Sequence, residues 1–309
     1  MTSFISRDSL TITLGSLELQ KLVCVERDAS FSEIIEKMNE ESIGSIGVIE
    51  NSKLIGIITE KDFLTKFHRI KECCDSDSEI DITTVMTKNP IVFSEEKDLL
   101  AAMKVMTSHD FRHLPIRKGD SLEIISVRDI LNIICESFKD DLSKYQPIKH
   151  WNKEEPALQE IDILEFPRKG NGISAAVFET PLKRIFNPNF IHIDYAETVE
   201  ALINKMVSNE VHVAFVMEYE TAFIGIITER DLLKKVYSKE IPLNAPTSDL
   251  MTPLPDFLSV THQFGNALKN MQAFDYRNMP IVGQDGYPIG NVTLLDLMGL
   301  FYSQLVDLD

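Results

Sequence analysis

Four aspartates in this 309-residue chain are each preceded, three positions back, by a hydroxyl residue: Thr59 and Asp62, Ser126 and Asp129, Thr228 and Asp231, Thr293 and Asp296. Each pair stands where a short apolar run gives way to a helical pattern. Gly56-Ile57-Ile58-Thr59-Glu60-Lys61-Asp62-Phe63-Leu64 and Gly225-Ile226-Ile227-Thr228-Glu229-Arg230-Asp231-Leu232-Leu233 are near copies. Glu123-Ile124-Ile125-Ser126-Val127-Arg128-Asp129 and Gly290-Asn291-Val292-Thr293-Leu294-Leu295-Asp296 are looser ones. Two chemistries fit the pair. In one, the hydroxyl is a helix N-cap and the acid occupies the third helical position, satisfying backbone amides and favouring the helix dipole. In the other, the end of the helix attracts phosphate, the hydroxyl donates to a phosphate oxygen, and the acid accepts from two adjacent hydroxyls such as those of a ribose. Gly56, Gly225 and Gly290 would let a ligand come close.

Basic residues bear on the choice. Phe111-Arg112-His113-Leu114-Pro115-Ile116 leads into an apolar strand, and Tyr276-Arg277-Asn278-Met279-Pro280-Ile281 does so at the equivalent place. Arg128 and Arg230 stand immediately before the acids of their motifs. A guanidinium fork suits phosphate because it offers bidentate contacts. The alternative for each arginine is a surface ion pair with a neighbouring acid.

The elements that must position these residues repeat as well. A methionine on an amphipathic helix (Met38, Met106, Met206, Met271) is followed nine residues later by a strand position (Gly47, Pro115, Phe215, Pro280), and 14 to 16 residues after that by the acid. Such regular spacing marks internal repeats. The acids are 67, 102 and 65 residues apart, so the copies come as two pairs separated by an insertion between Ser137 and Thr180. Periodicity gives each copy the order β-α-β-β-α. In the first, Leu22–Val25 is a strand, Ser30 and Glu33 form a capping box, Ile34, Ile35 and Met38 give a buried face, and two strands flank the turn Asn51-Ser52-Lys53. Its closing helix runs from Thr59 to Phe67. Asp194 and Glu197 repeat the capping box in the third copy, and Gln284-Asp285-Gly286 is a hairpin turn in the fourth. One such unit alone buries too little apolar surface to be comfortably stable, which makes pairing a physical expectation. The divisions are a tail over 1–16, repeats over 17–71, 82–138, 181–239 and 247–304, and a linker or insertion over 139–180 that holds Trp151 as a docking anchor.

Composition limits the function classes. The net charge of −17 argues against nucleic acid, which needs a basic surface, and against an anionic membrane face. No run approaches the length of a membrane-spanning helix, and Met1–Asp8 lacks the pattern of a signal peptide. Cys24, Cys73, Cys74 and Cys135 read as reduced thiols in a cytoplasmic protein, with no metal-ligand spacing.

Taken together, the repeat resembles the CBS domain, the module first noticed in cystathionine β-synthase. The resemblance rests on Met86-Thr87-Lys88-Asn89-Pro90 and Met251-Thr252-Pro253-Leu254-Pro255, on Leu114-Pro115-Ile116 and Met279-Pro280-Ile281, and on the Gly-x-x-Thr-x-x-Asp motif. It implies an α+β fold of four CBS repeats arranged as two pseudo-twofold pairs, each pair a Bateman module with two clefts for adenosine ligands. AMP, ADP and ATP are the candidates, with S-adenosylmethionine ranked behind them, and no cofactor is required. By resemblance Thr59, Ser126, Thr228 and Thr293 touch phosphate, and Asp62, Asp129, Asp231 and Asp296 the ribose hydroxyls. Adenine would lie near Ile91 and Pro115, or near Pro280, with Arg112, His113, Arg128, Arg230 and Arg277 completing the ligand-binding set. Glu123, in place of a glycine, would put a negative charge near a phosphate position; with no basic residue in the fourth motif, the Ser126 and Thr228 clefts are the stronger candidates. The reading is a non-enzymatic regulatory sensor that passes ligand occupancy to an unidentified regulated protein or to a second copy in a homodimer, with no nucleic acid and no membrane partner. The alternative is a structural or protein-interaction module with empty clefts. Closure of four repeats into a disk within one chain and dimerisation with a second chain are both compatible with the sequence.

Overall fold

The computed structural model describes residues 3–68, 80–149, 172–238 and 240–306. Trp151, the run Asn152 to Pro156, and Cys73 and Cys74 lie outside the described residues. The order expected for each repeat is present. In repeat one, Cys24–Glu26 runs parallel to Ser45–Glu50, which pairs antiparallel with Lys53–Thr59 through a turn whose Asn51 and Ser52 are left-handed. The helix Phe31–Glu40 starts where Ser30 accepts a hydrogen bond from the Glu33 amide, the serine half of the expected capping box. Repeat two has Phe93–Ser94, the helix Leu99–His109, and the hairpin His113–Lys118 and Ser121–Ser126. Repeat three has Ile191–Asp194, the helix Val199–Ser208, and the hairpin Val213–Glu218 and Ala222–Thr228. Repeat four has Leu258–Ser259, the helix Phe264–Phe274, and the hairpin Asn278–Val282 and Pro288–Thr293, whose turn has Gly286 at φ 79°.

One cap differs from expectation. The helix of repeat three is capped by Thr198, which accepts from the Ala201 amide. Asp194 and Glu197 instead close a turn before it: Asp194 accepts from the Ala196 amide, and Glu197 from the Asp194 amide. Thr198 directly precedes the first helical residue, Val199, and so takes the cap position.

The chain divides into two compact units that do not follow the tandem order. Unit 1 comprises 1–21, 92–188 and 256–309, and therefore holds repeats two and four; unit 2 comprises 22–91 and 189–255, and holds repeats one and three. The apolar helix faces explain the grouping. Met103, Met106 and Ile130 of repeat two share one buried cluster with Met271, Leu297 and Phe301 of repeat four. Ile34 and Met38 of repeat one share another with Leu202 and Met206 of repeat three. In unit 1 the rings of Phe138, Phe264 and Phe301 surround Phe178 at centroid distances of 5.3, 5.8 and 5.9 Å. In unit 2, Phe31, Phe63, Phe67 and Tyr237 form the corresponding aromatic group.

The tandem relation survives in the sheets. Thr87–Lys88, which leads into repeat two, adds an edge strand to repeat one, and Gln20–Lys21, which leads into repeat one, adds one to repeat two. Thr252–Pro253 does the same for repeat three, and Asn187 bridges to Asn291 in repeat four. Residues 3–16 are more than a tail: Phe4–Ser6 pairs with Gly172–Ser174, and Ile5, Leu10 and Leu14 are buried in the core of unit 1.

Candidate functional site

The hydroxyl–acid pairs form the same device four times. In each, one carboxylate oxygen of the aspartate accepts both the backbone N–H and the hydroxyl of the N-cap residue. The distances to amide and hydroxyl are 2.9 and 2.6 Å at Asp62, 2.8 and 2.6 Å at Asp129, 2.8 and 2.7 Å at Asp231, and 2.8 and 2.7 Å at Asp296. The capping chemistry is therefore present at every copy. It uses only Oδ2. At Asp62 the other oxygen is held by the Lys66 ammonium at 2.6 Å. At Asp129, Asp231 and Asp296, Oδ1 has no hydrogen-bond or ion-pair partner among the described residues. Burial pushes the Asp231 and Asp296 carboxyls above the ordinary carboxylate range, against the lowering effect of their threonines. A carboxylate with one oxygen pinned and one open, half-buried at Asp231 and Asp296 and exposed at Asp129, is pre-oriented to accept hydroxyl donors.

The motif glycines serve packing. A side-chain carbon at Gly56 would lie 2.2 Å from the Met86 sulfur, one at Gly225 2.3 Å from the Met251 sulfur, and one at Gly290 2.1 Å from the Phe186 ring. All three neighbours come from segments that pair with the motif strands, as edge strands at Gly56 and Gly225 and as the Asn187 bridge at Gly290, so the missing side chain admits those segments. In repeat two, Glu123 shares the sheet face of buried Ile125 by strand alternation, while Ser126 shares that of Ile124. Glu123 lies 3.8 Å from Lys118, whose ammonium donates to the Leu17 carbonyl. The expected negative charge beside Ser126 is thus on the other face.

Arg128 and Arg230 are each engaged by the other repeat of their unit. Arg128 donates to the carbonyls of Met271, Asp275 and Tyr276 and pairs with the Asp275 carboxylate at 2.8 Å. Asp275 is the left-handed residue ending the first helix of repeat four. Arg230 donates to the carbonyl of Ser42, the left-handed residue after the first helix of repeat one, and lies 3.8 Å from the buried Glu60 carboxylate. Each arginine caps the C-terminus of a helix in the other repeat of its unit, where a cation is electrostatically favoured. Arg112, His113, Pro115, Arg277 and Pro280 lie beside the motifs of their own repeats. The Arg112 carbonyl accepts from the Val127 amide, His113 pairs with Ser126, and Pro115 with Ile124. Arg277 precedes the strand in which Asn278 pairs with Thr293 and Pro280 with Asn291. Ile91 is exposed, just after the edge strand of repeat one. Tyr276 next to Arg277 donates to Asp256 at 2.6 Å.

Sequence reasoning passed over two features. Glu60 and Glu229, directly after the hydroxyl in repeats one and three, are buried, whereas the same position holds Val127 and Leu294 in repeats two and four. Asn291 occupies, in repeat four, the position of Ile57, Ile124 and Ile226. Aligning the four copies column by column would have marked both.

Comparison with known proteins identifies the repeat. The CBS domain model matches residues 15–69, 80–136, 182–238 and 248–303. The chain belongs to the CBS domain family. Among curated relatives, the CBS domain-containing proteins CBSCBSPB5 and CBSCBSPB4 of Arabidopsis thaliana are each 26% identical over 302 residues, covering 92% of this chain and 52% of theirs. This chain therefore spans about half the length of those CBS proteins. Among solved structures, protein MJ1225 of Methanocaldococcus jannaschii shares the fold at a TM-score of 0.69 and 17% identity, over 92% of this chain and 97% of that one. An uncharacterised conserved protein of Pyrococcus horikoshii follows at 0.53 and 15%, over 94% and 100%. Among the described residues, no cluster of His, Cys, Asp or Glu is arranged to hold a metal, and no helix is long and apolar enough to cross a membrane.

Proposed function

We propose that this CBS protein is a regulatory adenine-nucleotide sensor. The observation that carries the reading is the open Oδ1 of Asp129, Asp231 and Asp296, each on a carboxylate whose other oxygen is fixed by its own N-cap residue. A vicinal diol supplies two donors to such an acceptor, and the ribose of a nucleotide carries one. Ser126, Thr228 and Thr293 lie against these acids and would meet the phosphate by exchanging their present acceptor. AMP, ADP and ATP are the proposed ligands, with S-adenosylmethionine behind them. The reading assigns no catalytic step to the protein.

The arginines supply a route for signal. Arg128 and Arg230 each precede a binding acid and reach the helix end of another repeat in the same unit. A ligand that favours one position of that helical turn biases how the two repeats pack, because occupancy shifts whichever arrangement binds better. The packing change would then act on a regulated partner or a second copy of the chain.

A second reading, an interaction module with empty clefts, is favoured at repeat one. There Lys66 already occupies the open oxygen of Asp62. Thermal denaturation with AMP, ADP, ATP and S-adenosylmethionine separates the two. Saturable stabilisation by at least one nucleotide is expected, since a ligand that binds only the native state raises its stability. The variant Asp231→Ala should lose part of that shift while remaining folded. No shift with any of the four at millimolar concentration would leave the interaction module as the function.

A further inference from the structure

Repeat four carries a polar feature that its three sister repeats lack. In the last strand of each repeat, the residue two places before the hydroxyl lies on the hydroxyl's face of the sheet. That residue is Ile57, Ile124 and Ile226 in repeats one to three, and Asn291 in repeat four. Asn291 is only 3% exposed. Its amide nitrogen donates to Asn278 Oδ1 at 2.7 Å, and its backbone pairs in both directions with Asn187. Its Oδ1 is buried and has no hydrogen-bond partner among the described residues. Asn278 pairs in register with Thr293, whose hydroxyl is bonded to Asp296. One face of this hairpin therefore carries, side by side, the pinned acid, its hydroxyl and a coupled pair of carboxamides.

A buried acceptor with no donor is costly, and the isoleucine of the other repeats would avoid the cost. We propose that Asn291, oriented by Asn278, is a base-recognition residue of the fourth repeat, its Oδ1 accepting from the exocyclic amino group of an adenine whose ribose is held by Asp296. The inference rests on the nucleotide-sensor reading and refines it. The fourth repeat discriminates an amino-bearing base by a side-chain hydrogen bond, whereas the first three present an apolar wall at the same position. A site built around a buried polar group rejects an analogue that leaves the group unpaired. The copy whose motif lacks a basic residue is, by this account, the most base-selective of the four.

Calorimetric titration of the full chain tests it with two probes: AMP, and purine riboside 5′-monophosphate, which lacks the 6-amino group and any ring N–H. Asp296→Ala identifies the binding event that belongs to repeat four. At that event the native chain should bind AMP about tenfold more tightly than the analogue, the worth of one hydrogen bond. Asn291→Ile, which copies the sister repeats, should bind the two probes equally there and leave the other events unchanged. Asn278→Val, which copies Val213 of repeat three, should reduce the preference in the same direction and covers the case in which the first variant folds poorly. If Asp296→Ala removes an event but Asn291→Ile and Asn278→Val keep the native preference for AMP, the base-recognition role is overturned and the sensor reading stands. If Asp296→Ala removes no event while AMP binds elsewhere, the role is overturned likewise. If AMP binds nowhere, both fail together.

Discussion

Unit 2 and unit 1 are built from the same repeat and solve the same packing problem differently. In unit 2 the residue after each hydroxyl is a buried glutamate, Glu60 or Glu229, and the closing helices pass after one turn into π-helical segments, Phe63–Phe67 and Leu232–Tyr237. In unit 1 that residue is Val127 or Leu294, and the closing helices, Val127–Glu136 and Leu294–Ser303, are regular throughout. The residue before the middle strand differs as well: Gly44 and His212 in unit 2, Arg112 and Arg277 in unit 1. Unit 2 thus adds a buried acid to each motif, with Lys66 and Arg230 close by, and unit 1 has Arg112 and Arg277 before its middle strands instead. Buried ion pairs are weak contributors to stability but strong constraints on what can change one partner at a time. π-helical turns recur at functional sites. The contrast teaches that four copies of one motif need not be four copies of one site.

Moving a single charge between the units should produce the largest effect. Val127→Glu would import the buried acid of unit 2 into an apolar position without its arginine, and should destabilise by about 3 kcal/mol or more in urea unfolding. A change below about 1 kcal/mol would show that unit 1 tolerates the acid and that the contrast is incidental. Truncating Phe178, central to the aromatic cluster of unit 1, should cost about 3–5 kcal/mol, and Phe63→Ala in unit 2 a similar amount. Unequal losses would locate the better-packed core.

The arginine caps come next. Arg230→Ala leaves Glu60 buried with one fewer cation and should cost about 2–3 kcal/mol. Arg128→Ala loses carbonyl contacts and a pair to the exposed Asp275, and should cost about 1 kcal/mol. Equal costs would mean that Glu60 does not depend on Arg230.

The smallest effect is in pH dependence. Burial raises the Asp231 and Asp296 carboxyls, so the native state holds protons that the unfolded state has released. Stability from these groups is therefore present below the unfolded carboxylate pKa of about 4 and declines as pH rises through the elevated folded values. Asp231→Asn and Asp296→Asn should each flatten the decline in a pH series of unfolding midpoints. A steeper decline in either variant would reverse the assigned direction. Ribose hydroxyls donating to these carboxylates would favour their charged form, so nucleotide binding in that window should release protons.

Much of this was legible in the residues alone. The four repeats, their strand and helix order and the hydroxyl–acid pairs follow from spacing, because a methionine on a helix face, a strand position and an N-cap acid are set by local geometry. The grouping of repeats one with three and two with four was not, since Met38, Met106, Met206 and Met271 mark apolar faces without naming a partner. Residues 3–16 read as a tail because the strand that pairs with Phe4–Ser6, Gly172–Ser174, lies beyond the second repeat. The helix ends that Arg128 and Arg230 cap, at Tyr276 and Ser42, are distant in sequence and so gave no local signal. The glycines looked like space for a ligand because nothing in sequence places Met86 or Phe186 against them.

The proposed role of the open carboxylate oxygens is to hold a ribose. Titration of the native chain with AMP and with 2′,3′-dideoxy-AMP, which has the same base and phosphate without the diol, tests it most directly. Saturable binding of AMP and at least tenfold weaker binding of the dideoxy analogue are predicted. Equal binding of the two, or no binding of AMP at millimolar concentration, would contradict it.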